Sequence, residues 1–173
     1  MDDVSAQIEA KCEEIAQKIS QGMSTRGMRA ANELRNASQL VLRGQRSGRQ
    51  YNVPGTGRMR YYKRGSRDGK HKAGTATITY RKYTASAPGE APAVRTGAFR
   101  GGWQAKQEVK SGAGTDVSVR SYIESNTRTD NGKYVLGAIL EDGTSRMAPR
   151  PYQEKIQEKA KNKILKIYKE PYM

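Results

Sequence analysis

Between residues 4 and 23, apolar side chains recur at the spacing of one helical face: Ile8, Cys12, Ile15, Ala16, Ile19 and Met23. Glu9, Lys11, Glu13, Glu14 and Lys18 lie off that stripe, which predicts an amphipathic helix. Cys12 belongs to the stripe and reads as a small hydrophobe rather than a reactive thiol. Ser24-Thr25 then offers an N-cap. Met28, Ala31, Leu34, Ser38 and Val41 form a weaker stripe, which predicts a second helix over 25–43 with Gly22 and Gly27 at the joint.

From Gly44 to Arg95 the pattern changes, and Gly, Ser and Pro rise. Residues 59–63 and 75–83 read as strands, the second alternating through β-branched positions. The Gly/Lys/Arg-rich piece 64–74 joins them, giving a long basic β-arm. Residues 85–93, with Pro88 and Pro92, are extended. Phe99 and Trp103 then stand four apart, as on one helical face, and predict a short helical turn feeding a strand. Residues 103–109 and 116–123 alternate as an antiparallel pair.

Residues 134–140 are the most apolar segment and are expected to be buried. Glu141-Asp142-Gly143-Thr144 stops the run as a turn. After Pro149 and Pro151, residues 152–169 predict a last helix with Ile156, Ala160, Ile164, Ile167 and Tyr168 on one side and lysines elsewhere. The fold class is α+β, one domain overall. N-terminal helices occupy 1–43 and a basic Gly/Pro-rich arm with a β-hairpin 44–95. A small antiparallel sheet, with the C-terminal helix packed on it, fills 96–173.

Composition narrows the function. Hydrophobic residues are 35% of the 173, so the core is small for the length. The net charge of +15 is costly through self-repulsion and suits a polyanionic or acidic partner. No apolar run approaches the roughly 20 residues of a membrane span. The acidic start Met1-Asp2-Asp3-Val4 lacks a signal-peptide pattern, and a cytoplasmic site of synthesis is expected. One cysteine excludes an intrachain disulfide and a Cys-based zinc site.

Catalytic chemistry is hard to assemble from these residues. The one histidine, His71, stands between Lys70 and Lys72 in the basic loop, a poor place for a general base. Gly65 to His71 looks like a phosphate loop, but the spacing before Gly69-Lys70 is one residue short. His71 also replaces the magnesium-binding Ser or Thr. No cofactor, metal or catalytic residue is expected. Arg58, Arg60, Lys63, Arg64, Arg67, Lys70 and Lys72 are candidates for contact with DNA phosphates or with an acidic protein surface, and both stay open. Base-specific readout lacks any helix-turn-helix or finger spacing to support it.

Two blocks carry a resemblance. Ser86-Ala87-Pro88-Gly89-Glu90-Ala91-Pro92, followed by Thr96-Gly97-Ala98-Phe99-Arg100, is one. Tyr134 through Glu141-Asp142-Gly143-Thr144 to Pro149-Arg150-Pro151-Tyr152 is the other. They resemble, in the same order, the two motif blocks of tail-completion (neck) proteins of long-tailed bacteriophages. Phe99 stands where that family has Leu, and Val135 where it has Ala.

The resemblance implies a structural virion protein at the head–tail junction, made in the host cytoplasm and assembling as a six- or twelve-fold ring around the DNA channel. Its partners would be further copies of itself, head-closure or connector proteins, and tail-terminator or tail-tube proteins. Genomic DNA would be a sequence-independent contact, with no membrane involved. In that picture Thr96-Gly97 and Glu141 to Thr144 are paired turns at one edge of the sheet. Phe99, Trp103, Leu136, Ile139 and Tyr152 are core beneath them. Arg146 or Arg150 can pair with Glu141 or Asp142. A free, non-specific nucleic-acid-binding module is the alternative.

Overall fold

A computed structural model describes residues 2–44, 46–61, 76–111 and 117–171. The architecture is α+β, with a long N-terminal helix, short antiparallel ribbons and a C-terminal helix. Helix α1 spans Asp2–Val41 without a break. The expected joint at Gly22 and Gly27 is therefore corrected. Gly27 is buried where α1 meets the sheet, and a Cβ there would collide with the Ser121 hydroxyl and come 2.9 Å from Gln107 Nε2. This glycine permits close approach; it does not end the helix.

The strands pair in three separate ribbons, not one sheet. β1 (Gln50–Asn52) pairs with β4 (Lys82–Thr84), Tyr51 opposite Tyr83. β2 (Arg58–Tyr61) pairs with β3 (Ala76–Thr79). After the single-turn helix α2 (Ala98–Gly101) come β5 (Trp103–Ser111) and β6 (Val117–Ser125), the expected hairpin. Trp103 lies opposite Ser125 and Val109 opposite Val119.

The pleat of this hairpin separates two chemistries. Trp103, Ala105, Gln107 and Val109 share a face with Ile123, Ser121 and Val119, and α1 packs against the hairpin. Gln107 Nε2 donates to the Ser24 carbonyl at 2.7 Å, and the Ser24 hydroxyl donates back to Gln107 Oε1 at 2.7 Å. On the other face Lys106 pairs with Glu124, and the Tyr122 hydroxyl donates to Glu108 at 2.9 Å.

Helix α3 occupies Leu136–Asp142 and helix α4 Gln153–Lys169. The apolar run 134–140 is thus a short helix with exposed approaches, not a buried segment. Tyr134 is 58% exposed and Val135 is also open, while Gly137 is buried. The last helix begins two residues after Pro151. It packs along α1, antiparallel to it, and its N-terminal neighbour Tyr152 reaches the sheet. Arg29 donates to Glu170 at 2.6 and 2.9 Å, Lys163 to Glu33 at 2.9 Å, and Arg26 to the Pro171 carbonyl. The core joins Ala37 of α1 and Leu42 just after it to Ala91, Trp103, Tyr152, Ile156 and Ala160, with Phe99, Ile123 and Leu140 against it.

Candidate functional site

The two motif blocks fold onto each other. The Gly89 N–H donates to the Pro149 carbonyl at 3.1 Å, and Lys155 Nζ donates to the Gly89 carbonyl at 2.8 Å. Phe99 of the first block meets Tyr152 of the second edge-on, with ring centroids 5.4 Å apart. Trp103 completes the cluster at 5.7 Å from Phe99 and 5.9 Å from Tyr152, also edge-on. Edge-to-face packing of this kind adds to simple burial. Burial, together with Glu141 nearby, pushes the Tyr152 phenol up to about 12.

The second block is held by its own backbone. Glu141 Oε2 accepts the Tyr152 N–H at 3.0 Å and the Gln153 N–H at 3.4 Å, at the start of α4. The carboxylate also faces the positive end of that helix. The Arg150 N–H donates to the Leu140 carbonyl at 2.8 Å. Gly143 closes α3 with φ 77°, in the region that favours glycine, and a Cβ there would lie 2.6 Å from the Met147 carbonyl oxygen. Thr144 and Met147 exchange N–H···O bonds at 2.8 and 3.1 Å, which makes the tight turn before Pro149.

Beside this unit lies a groove of about 350 Å³. Phe99, Leu136 and Leu140 supply apolar lining, and Arg95, Arg100, Arg128, Arg150 and Asp130 supply charge, with positive charge in excess. Arg95 pairs with Asp130 at 3.2 Å. Such a groove fits a segment with apolar side chains flanked by carboxylates.

The predicted residues are placed unequally. Pro92 and Tyr152 are buried, and Phe99, Arg100, Gly143 and Pro151 are half-buried. Pro88 and Gly89 form an exposed turn, Gly89 at φ 77°. Thr96 accepts the Ala98 N–H at 3.4 Å, and Gly97, φ 91°, precedes α2. Tyr134 is exposed at the approach to α3, where its carbonyl accepts the Thr129 N–H at 3.0 Å. Glu141 and Asp142 end a helix instead of forming a turn, because the backbone bonds of α3 run through Asp142 before Gly143 reverses the chain. Among the described residues neither Arg146 nor Arg150 forms the expected ion pair with them, since Glu141 is engaged by backbone N–H groups. Of the expected core, Trp103 and Tyr152 are buried, while Leu136 and Ile139 are half-buried. Arg58 and Arg60 are exposed on β2. Lys63, Arg64, Arg67, Lys70 and Lys72 lie outside the described residues.

Two residues that sequence reasoning did not single out lock the first block in place. Glu90 accepts the Ser47 hydroxyl at 2.6 Å, the Ala87 N–H at 2.9 Å and the Ser47 N–H at 3.1 Å. These bonds, the Ser47 hydroxyl first, hold its carboxyl down to about 2. Arg46 donates to the Pro92 carbonyl at 3.0 Å and the Val41 carbonyl at 2.9 Å, tying the block to the end of α1. Burial lowers the Arg46 pKa. The available signal was Glu90 itself, a rare acid in a basic stretch.

Among the described residues no group of three or more His, Cys, Asp and Glu side chains is placed to hold a metal ion, and no helix is long and apolar enough to cross a membrane. Comparison with family models, curated proteins and solved structures finds no match to this chain.

Proposed function

We propose that this chain is a structural protein of the head–tail junction of a long-tailed phage: a neck, or tail-completion, component that forms a ring around the DNA channel and joins tail to head. It acts by fitting surfaces together, not by turning over a substrate. The observation that carries this reading is the meeting of the two motif blocks, closed by the Gly89–Pro149 hydrogen bond and the Phe99–Tyr152 contact. Segments separated by some sixty residues, recognised as motifs only by their resemblance, make one rigid unit beside an arginine-rimmed groove. The groove suits an acidic segment of a neighbouring head or tail protein. The virion is the site of action, after synthesis in the host cytoplasm.

The decisive experiment deletes the gene in the producing phage and images the lysate by electron microscopy. Filled heads and free tails that fail to join are expected, with the protein present at the neck of complete wild-type particles. Normal particles from the deletion, or particles lacking the protein, overturn the proposal.

A second reading, a non-specific nucleic-acid-binding module, is favoured by Arg58 and Arg60, both exposed on the β2–β3 ribbon. Their contacts would be with phosphates and would weaken steeply with salt. A monomer that binds DNA tightly at near-physiological salt favours this reading over the first.

A further inference from the structure

We propose that the N-terminal third of α1 docks on the outer face of α4 of a second copy of this chain, head to tail. The face of α1 that is covered by the hairpin and α4 from about Met23 onward continues toward the N-terminus as Val4, Ile8, Ile15 and Ile19, which are 45–62% exposed. These positions share one side of the helix. The exposed Cys12 lies on the same side. With Ile15, Ala16, Ile19 and Val117 it lines an apolar groove of about 390 Å³. A continuous apolar stripe of this length on a folded helix marks a contact surface.

Charge selects the occupant. By sequence, residues 2–19 hold five carboxylates and two lysines, a net of −3 in a chain of +15. Both lysines, Lys11 and Lys18, are bound by Glu14 at 2.6 and 2.7 Å. On the other side of the stripe, next to Ala16, stands Glu9. The outer face of α4 is the complement. Leu165 and Tyr168 are about half-exposed there, flanked by Lys161 and Lys169 at helical spacing. Pairing two α1 stripes with each other would instead bring the acidic segments together. An acidic, apolar helix end meeting a basic, apolar helix face at the other end of the chain is a heterologous contact, which propagates into a ring or a filament. Closure into a ring rests on the reading above; the pairing of two copies does not.

Cys12, the only cysteine, makes the test direct. Leu165→Cys is oxidised mildly and run on a non-reducing gel beside wild type and Arg120→Cys, a variant on the opposite face of the hairpin. A ladder of dimers, trimers and larger species from Leu165→Cys alone is expected. A wild-type dimer through Cys12 of two copies, or no ladder beyond the Arg120→Cys control, overturns the pairing. Sedimentation of the charge swap gives a second arm. Glu9→Lys and Lys161→Glu should each raise the concentration of half-assembly by about tenfold, and the double variant should restore it. Absence of restoration overturns the contact. A ladder from a protein absent from particles sustains the pairing and sinks the neck proposal, and the converse result sinks the pairing alone.

Discussion

Glu141 and Tyr152 are joined across eleven residues by a 3.0 Å bond from the Tyr152 N–H to the Glu141 carboxylate. Helix α4 has no side-chain cap of its own, and Tyr152 at the capping position offers none. A neighbouring helix supplies the missing acceptor, and with it a negative charge at the positive end of α4. Glu141→Ala should cost about 1 kcal/mol, with Glu141→Gln recovering part of it. Urea titration followed by circular dichroism measures both. Equal stability of wild type and Glu141→Ala would show that the bond caps nothing of consequence.

Gly143 allows no substitute. Its φ of 77° strains any other residue, and a Cβ would press on backbone atoms that cannot swing away. Gly143→Val should destabilise by at least about 1–3 kcal/mol from backbone strain alone and should prevent assembly. Thermal melting and the yield of complete particles are the readouts. Assembly-competent particles from Gly143→Val would show that the turn tolerates the change.

The phenol of Tyr152 titrates late. Because its folded value, about 12, lies above the ordinary 10.0, the neutral form stabilises the fold fully below pH 10. That contribution is lost as pH rises toward 12. Ultraviolet titration should show one tyrosine ionising only as the protein unfolds, and Tyr152→Phe should remove that step. Tyr152→Ala, which empties the centre of the three-ring cluster, should cost about 3–5 kcal/mol.

Glu90 behaves in the opposite sense. Its carboxyl is held at about 2 against an ordinary 4.5, so the ionised form stabilises the fold above pH 4.5, and the benefit is lost as pH falls toward 2. In Glu90→Gln, unfolding monitored by Trp103 fluorescence should lose part of its acid dependence in that interval. An unchanged acid profile would mean that the bonds to Ser47 and Ala87 are not maintained in solution.

These positions also mark how far the residues alone could be followed. The stripe from Ile8 to Val41 disclosed helix, but the break between two helices was read at Gly22 and Gly27, and Gly27 serves packing. Gly27 is small because Gln107 and Ser121 lie against it, a fact that belongs to tertiary structure. The β5–β6 hairpin was legible because its alternation is sustained and one face is covered. The run 134–140 was not, since seven apolar residues fit a strand or a short helix equally well by periodicity. Tyr152 and Phe99 were legible as core; Glu90 and Arg46 were not, because their partners, the Ser47 hydroxyl and several backbone groups, are brought near only by folding. The meeting of the two blocks had no signal beyond their order along the chain.

The unbroken α1 has one last consequence. Forty residues rising about 1.5 Å each make a rod of roughly 60 Å, and the body of the protein clasps it only from about Met23 onward. Its amides should therefore fall into two classes in deuterium exchange. Those near Ala30 and Ala37 should open only with global unfolding, and those before Ser20 should open by fraying. The fraying class should slow as protein concentration rises, which makes the free end of one helix a built-in reporter of whether neighbours have arrived.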